Sequence, residues 1–272
     1  MLFGSTLSYQ LGASIAKSLF PVFGATGTVG LRILLSTVVL WLMWQPWRQL
    51  PGRAALRAII PYGLALGFMN LLFYLALARI PLGTAVAIEF TGPLGLAFFG
   101  SRRLLDLLWA ALVVAGLVLL LDPGKSLHRV DGVGVLLALG AGLGWALYVV
   151  FGKRVGELGG GGRATAFGMA VATLAVVPFC VSAMLPAATD PVRLFEALLV
   201  AILSSALPYS LEMAALRHLS TRTFGILMSL DPVFAALSGL LLLGEHLAPT
   251  SWLAILCIVL ASAGSTLTGR KA

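Results

Sequence analysis

The chain of 272 residues is too apolar to be a water-soluble protein. Hydrophobic residues make up 60% of it and charged residues only 10%, and its mean hydropathy is +1.02, whereas roughly 25% of the residues in a soluble domain are charged. These values exclude a soluble domain and predict an integral membrane protein. A net charge of +8 would suggest a nucleic-acid partner in a soluble protein, so the placement of the basic residues decides what that charge is for.

Ten apolar runs are long enough to cross a bilayer, because a helix needs roughly 20 apolar residues to span about 30 Å of hydrocarbon. The predicted fold class is an all-α integral membrane protein with ten transmembrane helices. Almost no cytoplasmic arm precedes the first of them. When the chain is cut at its proline, glycine and charge clusters, the spans lie at 3–22, 27–47, 56–78, 82–100, 105–121, 132–152, 164–186, 194–216, 221–243 and 250–268.

Basic residues are concentrated on one side of these spans. If the N-terminus is cytoplasmic, the inner segments hold twelve Lys and Arg residues and the outer segments hold five. Cytoplasmic loops of membrane proteins carry such an excess, so both termini are predicted to be cytoplasmic. The orientation of the chain in the membrane then explains its net positive charge. The lipid bilayer is the expected partner, and no nucleic-acid partner is predicted.

The two halves of the chain resemble each other. A shift of 139 residues aligns 74–100 with 213–239 without a gap and matches Pro93 with Pro232. Each half holds five predicted helices, and because five is odd, the second half enters the bilayer the other way up. One chain then holds both halves, so a monomer is sufficient. The predicted domains are a first five-helix repeat at 1–121, an outer linker at 122–131 and an inverted second repeat at 132–272.

Four ionisable residues lie inside the predicted spans: Arg32, Glu89, Glu212 and Asp231. Each costs about 2.5–3.5 kcal/mol at the centre of a span unless it is paired or hydrated, so each marks a candidate functional position. Arg32 is expected either to snorkel or to pair with a carboxylate, and Glu212 is expected to pair with Arg217. Glu89 and Asp231 have no charged counterpart in the other repeat, which makes them the preferred site residues.

Polar and aromatic side chains recur at helical spacing in four spans. Exposing such side chains to lipid costs free energy, so they are expected to face protein or a water-filled cavity between the halves. For the small residues Gly63, Gly67, Ser14 and Ser205, close helix packing is the favoured interpretation. The candidate cavity-lining residues, each of which could instead belong to the core, are Gln10, Asn70, Tyr74, Trp145, Tyr148 and Tyr209.

Pro93 and Pro232 lie at matching positions in spans four and nine. Proline removes a backbone donor and frees the carbonyl four residues earlier, which for Pro93 is that of Glu89. Kinks at equal depth in the two halves predict a pair of hinges. A static kink that only improves packing is the alternative.

The segments AIEFTGPLGLAFFGSRR (87–103) and ILSSALPYSLEMAALRHLSTRTFGILMSLDPVFAALSGLLLLGE (202–245) resemble the drug/metabolite transporter superfamily in its EamA-type ten-helix branch. Within that branch they are most similar to the threonine/homoserine exporters and the aromatic amino-acid exporters of bacteria. The resemblance covers essentially the whole chain. It implies an inner-membrane exporter of aromatic or threonine/homoserine-like neutral amino acids that works by alternating access through a central cavity. A small multidrug or other metabolite extruder of the same superfamily is the alternative.

A site for an amino acid must satisfy an ammonium and a carboxylate. The three histidines lie in separate loops and no nucleophile or metal motif is present, so no enzymatic activity, metal or cofactor is predicted. Protons are an optional coupling partner, since a carboxylate in the membrane could carry one while a facilitator would need none. Glu89 or Asp231 is expected to take the ammonium, Trp145 and Tyr148 to stack on the side chain, and one of Gln10, Arg32, Asn70, Tyr74 and Tyr209 to hold the carboxylate.

Overall fold

The computed structural model describes residues 2–99, 104–121, 131–157, 161–186, 190–216 and 231–268, and every regular element in these ranges is helical. A short 3₁₀ turn at Pro46–Arg48 follows the second helix, and a π-helical turn at Ile202–Ala206 joins the ninth helix to the tenth. The helices are α1 Leu2–Ser18, α2 Phe20–Trp44, α3 Arg53–Leu77, α4 Leu82–Glu89, α5 Thr91–Phe99, α6 Leu104–Leu121, α7 Gly132–Glu157, α8 Gly161–Met184, α9 Pro191–Ala201, α10 Leu207–Leu216, α11 Asp231–Leu243 and α12 Pro249–Thr268.

The predicted all-α membrane fold is confirmed. Within the part of the chain that the structure describes, five helical segments are long and apolar enough to cross a membrane: Phe20–Trp44, Arg53–Leu77, Gly132–Gly156, Gly161–Met184 and Pro191–Leu211. The predicted spans match the helices within a few residues, except that only the Asp231–Leu243 part of span nine is described. The boundary between spans one and two falls inside α2, at Gly24, whose φ of 65° interrupts the helix in a conformation that glycine adopts without strain.

Span four is two helices. α4 ends at Glu89, α5 begins at Thr91, and Pro93 is the third residue of α5. Pro93 offers no N–H to the Glu89 carbonyl. That oxygen faces α7 instead, because a Cβ built on Gly142 would lie 2.6 Å from it. The carbonyl that the proline frees is therefore directed at the backbone of a neighbouring helix.

Helices from the two halves of the sequence pack against each other throughout the bundle. α3 packs on α7 and α8, while α1 packs on α10 and on the π-helical turn. α2 contacts α8, α4 contacts α11, and α6 contacts α12. Gly63 and Gly67 serve close packing as predicted, since a Cβ on either would come within 3.1 Å of α8.

One carboxylate ties three elements together at the end of the bundle where α1 ends and α4 begins. Glu245, in the connection between α11 and α12, accepts a hydrogen bond from the Lys17 ammonium through Oε1. Its Oε2 accepts the backbone N–H of Leu82 at 2.8 Å, the first residue of α4. We call this arrangement the Glu245 latch. It joins α1 and α4 to the second half of the chain.

A second ion pair links the chain after α3 to the start of α7. Arg79 donates to Asp131 Oδ2 at 2.8 Å, and Asp131 Oδ1 accepts the backbone N–H of Val133. The Arg79 guanidinium holds the pKa of the Asp131 carboxyl below its usual value. Both side chains are at least one-third exposed, so the pair contributes little to stability.

Candidate functional site

The guanidinium of Arg32, on α2, is the charge around which the candidate site is built. Arg32 is only 1% exposed. Its Nε donates to Ser205 Oγ at 3.0 Å, and its Nη2 donates to the Ser204 carbonyl at 2.6 Å. Both acceptors belong to the π-helical turn, an irregularity that is frequent at functional sites.

Two aromatic rings cover the guanidinium. The ring centre of Tyr9 on α1 lies 5.4 Å from the Arg32 Cζ, and that of Tyr74 on α3 lies 5.1 Å away. Cation–π contacts of this kind offset part of the cost of taking an arginine out of water. Tyr74 is fully buried and also packs on Phe20, so it is both a wall of the site and a core residue.

Two buried carboxylates share this region. Glu89 is 4% exposed and Asp231 is 9% exposed, and Glu89 lies within electrostatic range of both Arg32 and Asp231. The Thr6 hydroxyl hydrogen-bonds to Asp231. Among the described residues, neither carboxylate comes within 4 Å of a cationic nitrogen. The site therefore holds one cation and two carboxylates that are close but not paired.

Several buried polar atoms of the site have no hydrogen-bond partner in the ranges that the structure describes. Such atoms are costly to leave unsatisfied in a protein interior, and each one calls for an explanation. They lie on four different helices, so a single local defect cannot account for them. They are Gln10 Oε1 on α1, Arg32 Nη1 on α2, Asn70 Oδ1 and the Tyr74 hydroxyl on α3, and Asp231 Oδ1 on α11.

The remaining predicted aromatic residues lie beside this cluster. Tyr148 on α7 has ring-centre distances of 5.1 Å to Tyr62 and 6.4 Å to Tyr209, and Tyr209 lies within electrostatic range of Arg32. Trp145 packs edge-to-face on Phe90, at the break between α4 and α5, with 5.5 Å between ring centres. Tyr62, Tyr148 and Tyr209 form a row of rings that connects α3, α7 and α10.

The expectation that Arg32 either snorkels or pairs with a carboxylate of the protein was wrong. Arg32 does not snorkel, because it is buried, and no carboxylate in the described part of the chain pairs with it. The preference for Ser205 as a packing residue was also wrong, since its hydroxyl holds the Arg32 Nε. Ser14, by contrast, donates to the Gln10 carbonyl of its own helix.

Other site residues are placed but not assigned a role by the geometry. Pro93 follows the break in span four, and Pro232 is the second residue of α11. The side chain of Glu212 and the whole of Arg217 lie outside the described residues. The sequence analysis missed Tyr9 and Ser204. The adjacent serines 204 and 205 in an apolar span were a signal that could have pointed to Ser204.

The arrangement has the chemistry needed to hold a small zwitterion. One guanidinium with an unsatisfied N–H group suits an anion, and two unpaired carboxylates suit a cation or a proton. The polar cluster draws residues from α1, α2, α3, α4 and α11 and from the π-helical turn, so both halves of the sequence build it.

Comparison with known proteins agrees with this description. Residues 132–267 match the model of the EamA-like transporter family. Threonine/homoserine exporter RhtA of Escherichia coli (strain K12) is 48% identical over 264 residues, which cover 97% of this chain and 89% of that protein. The protein of the same name from Salmonella typhimurium (strain LT2) is similar to the same extent.

A more distant relative and a solved structure also match most of this chain. The uncharacterized transporter YwfM of Bacillus subtilis (strain 168) is 27% identical over 197 residues, 70% of this chain and 66% of that protein. A crystal structure of a protein 20% identical to this chain superposes with a TM-score of 0.57, covering 99% of this chain and 97% of the other; at that identity the likeness shows the fold alone. The chain therefore belongs to the EamA-like transporter family, as a multi-pass membrane transporter and not an enzyme.

Proposed function

We propose that this protein exports neutral amino acids across the bacterial inner membrane, with threonine- and homoserine-like side chains as the first candidates. The observation that carries the proposal is the buried set of one arginine and two unpaired carboxylates at the meeting of the two halves. A zwitterion satisfies charges of both signs at once. The 48% identity to proteins named threonine/homoserine exporters supports the choice of side chain.

The substrate ammonium goes to Glu89 or Asp231. Both are buried, and neither is neutralised by a cation within 4 Å in the described ranges. A protein carboxylate can bind an ammonium or a proton but not both at one time, and this exclusivity would couple export to proton entry. The unsatisfied oxygens of Gln10 and Asn70 provide acceptors for a hydroxyl on the substrate.

Alternating access between two inverted repeats, 1–121 and 132–272 with a linker at 122–131, is the proposed mechanism. If α1 corresponds to α7 and α3 to the α9–α10 segment, then the α3–α7 contact is the counterpart of the α1–α10 contact. Exchanging the two repeats maps three other contacts onto themselves, as expected for helix pairs on a two-fold axis. They are the α2–α8, α4–α11 and α6–α12 contacts. The family match over 132–267 coincides with the second repeat.

Transport into proteoliposomes with a panel of labelled solutes tests the function. Threonine and homoserine should be transported, while lipophilic cations should not. Aromatic amino acids are a second candidate class, favoured by the row of rings formed by Tyr62, Tyr148 and Tyr209. Transport of lipophilic cations without any amino acid would contradict the proposal and indicate a multidrug extruder.

The orientation in the membrane is tested separately. Single cysteines in a version without Cys180 and Cys257 should be protected from an impermeant thiol reagent added outside when they are placed at 48–57 or 153–163. Cysteines at 122–131 or 187–193 should react, because the positive-inside rule puts these loops outside. Reaction of the first group and protection of the second would reverse the predicted cytoplasmic termini.

A further inference from the structure

The guanidinium of Arg32 retains donor capacity that the protein does not use. A guanidinium has five N–H donors. Nε donates to Ser205 and Nη2 donates to Ser204, but Nη1 is fully buried and has no hydrogen-bond partner in the described part of the chain. An unsatisfied N–H on a buried cation is among the most expensive polar defects in a protein interior, so its persistence indicates a ligand.

The rest of the guanidinium is held in a fixed orientation. The two hydrogen bonds to the π-helical turn fix one edge of the guanidinium, and the rings of Tyr9 and Tyr74 lie close to its Cζ atom. The turn is itself held in place by α1, because a Cβ on Gly12 would come within 2.8 Å of the Ser204 backbone nitrogen. Within the described part of the chain, Nη1 is the guanidinium nitrogen that is left without a hydrogen-bond partner.

We propose that Arg32 binds the carboxylate of the transported amino acid through Nη1, and that Ser204 and Ser205 are positioning residues that aim the guanidinium. The inference rests on the proposed function, since it requires an amino-acid substrate. It divides the zwitterion between two groups: Arg32 takes the carboxylate, and Glu89 or Asp231 takes the ammonium. An arginine suits this task because its planar donors match a carboxylate.

The test compares two ligands that differ only at the carboxylate. L-threoninamide keeps the ammonium and the hydroxyl of L-threonine but replaces the carboxylate with a neutral amide. The dissociation constant of each is measured by calorimetry on the full-length protein in nanodiscs. The unmodified protein should bind threonine more tightly. In Arg32→Gln, binding of threonine should weaken roughly ten- to hundredfold, the usual effect of losing a charged hydrogen bond, while binding of threoninamide should hardly change.

Ser205→Ala and Ser205→Thr supply the second measurement, which also decides the matter if Arg32→Gln does not fold. Ser205→Ala keeps the charge but removes the acceptor of Nε, so binding of threonine should weaken roughly three- to tenfold and threoninamide should again be spared. Ser205→Thr keeps a hydroxyl and should restore the preference for threonine.

Ser36→Ala is the matched control. Ser36 is one turn from Arg32 on α2, is fully buried and donates to the Ala201 carbonyl of α9 at 3.1 Å. The Ser36→Ala substitution removes a hydrogen bond between α2 and the α9–α10 span without touching the guanidinium. The preference for threonine over threoninamide should therefore remain.

The outcomes separate the inference from the proposed function. If the unmodified protein binds neither ligand, the proposed function fails and this inference fails with it. If it binds threonine, but Arg32→Gln and Ser205→Ala weaken both ligands equally or neither, then Arg32 only joins α2 to the π-helical turn and this inference alone is overturned.

Discussion

Glu89→Gln should give a folded protein that transports amino acids at least tenfold more slowly and lacks the part of the pH response that Glu89 causes. The substitution keeps the volume of the side chain but removes the charge that holds a substrate ammonium, and losing a charged hydrogen bond typically costs about 1.5–3 kcal/mol. In the unmodified protein, lowering the pH should weaken substrate binding, because a proton on Glu89 excludes the ammonium.

The measurement is uptake into proteoliposomes at a series of pH values. Among the described residues, Arg32, Asp231 and Tyr9 are the titratable groups near Glu89. All three remain in the variant, so any pH response that they cause should persist. Glu196→Gln is the control, since Glu196 on α9 is 36% exposed and pairs with Arg193 at the surface. Full, pH-responsive transport by a folded Glu89→Gln protein would refute the role given to Glu89.

Gly92→Ala should destabilise the folded protein by about 3 kcal/mol, the upper part of the usual range for overpacking. A Cβ on Gly92 would lie 1.9 Å from the carbonyl oxygen of Gly142. The obstacle is backbone, so no side-chain rotation can relieve it. Gly142→Ala should act in the same way, because its Cβ would meet the Glu89 carbonyl at 2.6 Å.

Thermal melting in detergent measures this effect, with Gly95→Ala as the control. Gly95 lies on the same helix, and a Cβ there meets nothing within 4 Å, so that variant should melt at or above the temperature of the unmodified protein. Equal melting temperatures for Gly92→Ala and Gly95→Ala would mean that α5 and α7 can separate at no cost.

The helices could be predicted because the bilayer imposes one requirement along the whole chain, a run of about 20 apolar residues. The predicted 105–121 span and α6 at Leu104–Leu121 differ by one residue. The break in span four was also foreseeable, since Pro93 must free a carbonyl. The partner of that carbonyl was not, because Gly142 is brought to it by tertiary packing alone.

The candidate site was predictable in its charges but not in its contacts. Arg32, Glu89 and Asp231 are conspicuous in apolar spans, and all three are buried. The partners of Arg32 are 172 and 173 residues away in the chain, and no periodicity links them. The π-helical turn that presents Ser204 has no distinctive composition, so the sequence predicted snorkelling or a carboxylate partner for Arg32 and close packing for Ser205.

The Glu245 latch bears on how one end of the bundle can open. A single side chain holds α1 through Lys17 and α4 through the Leu82 N–H, while its own backbone N–H is bonded to Gly239 on α11. Moving the connection between α11 and α12 therefore disturbs the contacts to both helices at once. We expect α1 and α4 to separate from the second half together at this end of the bundle.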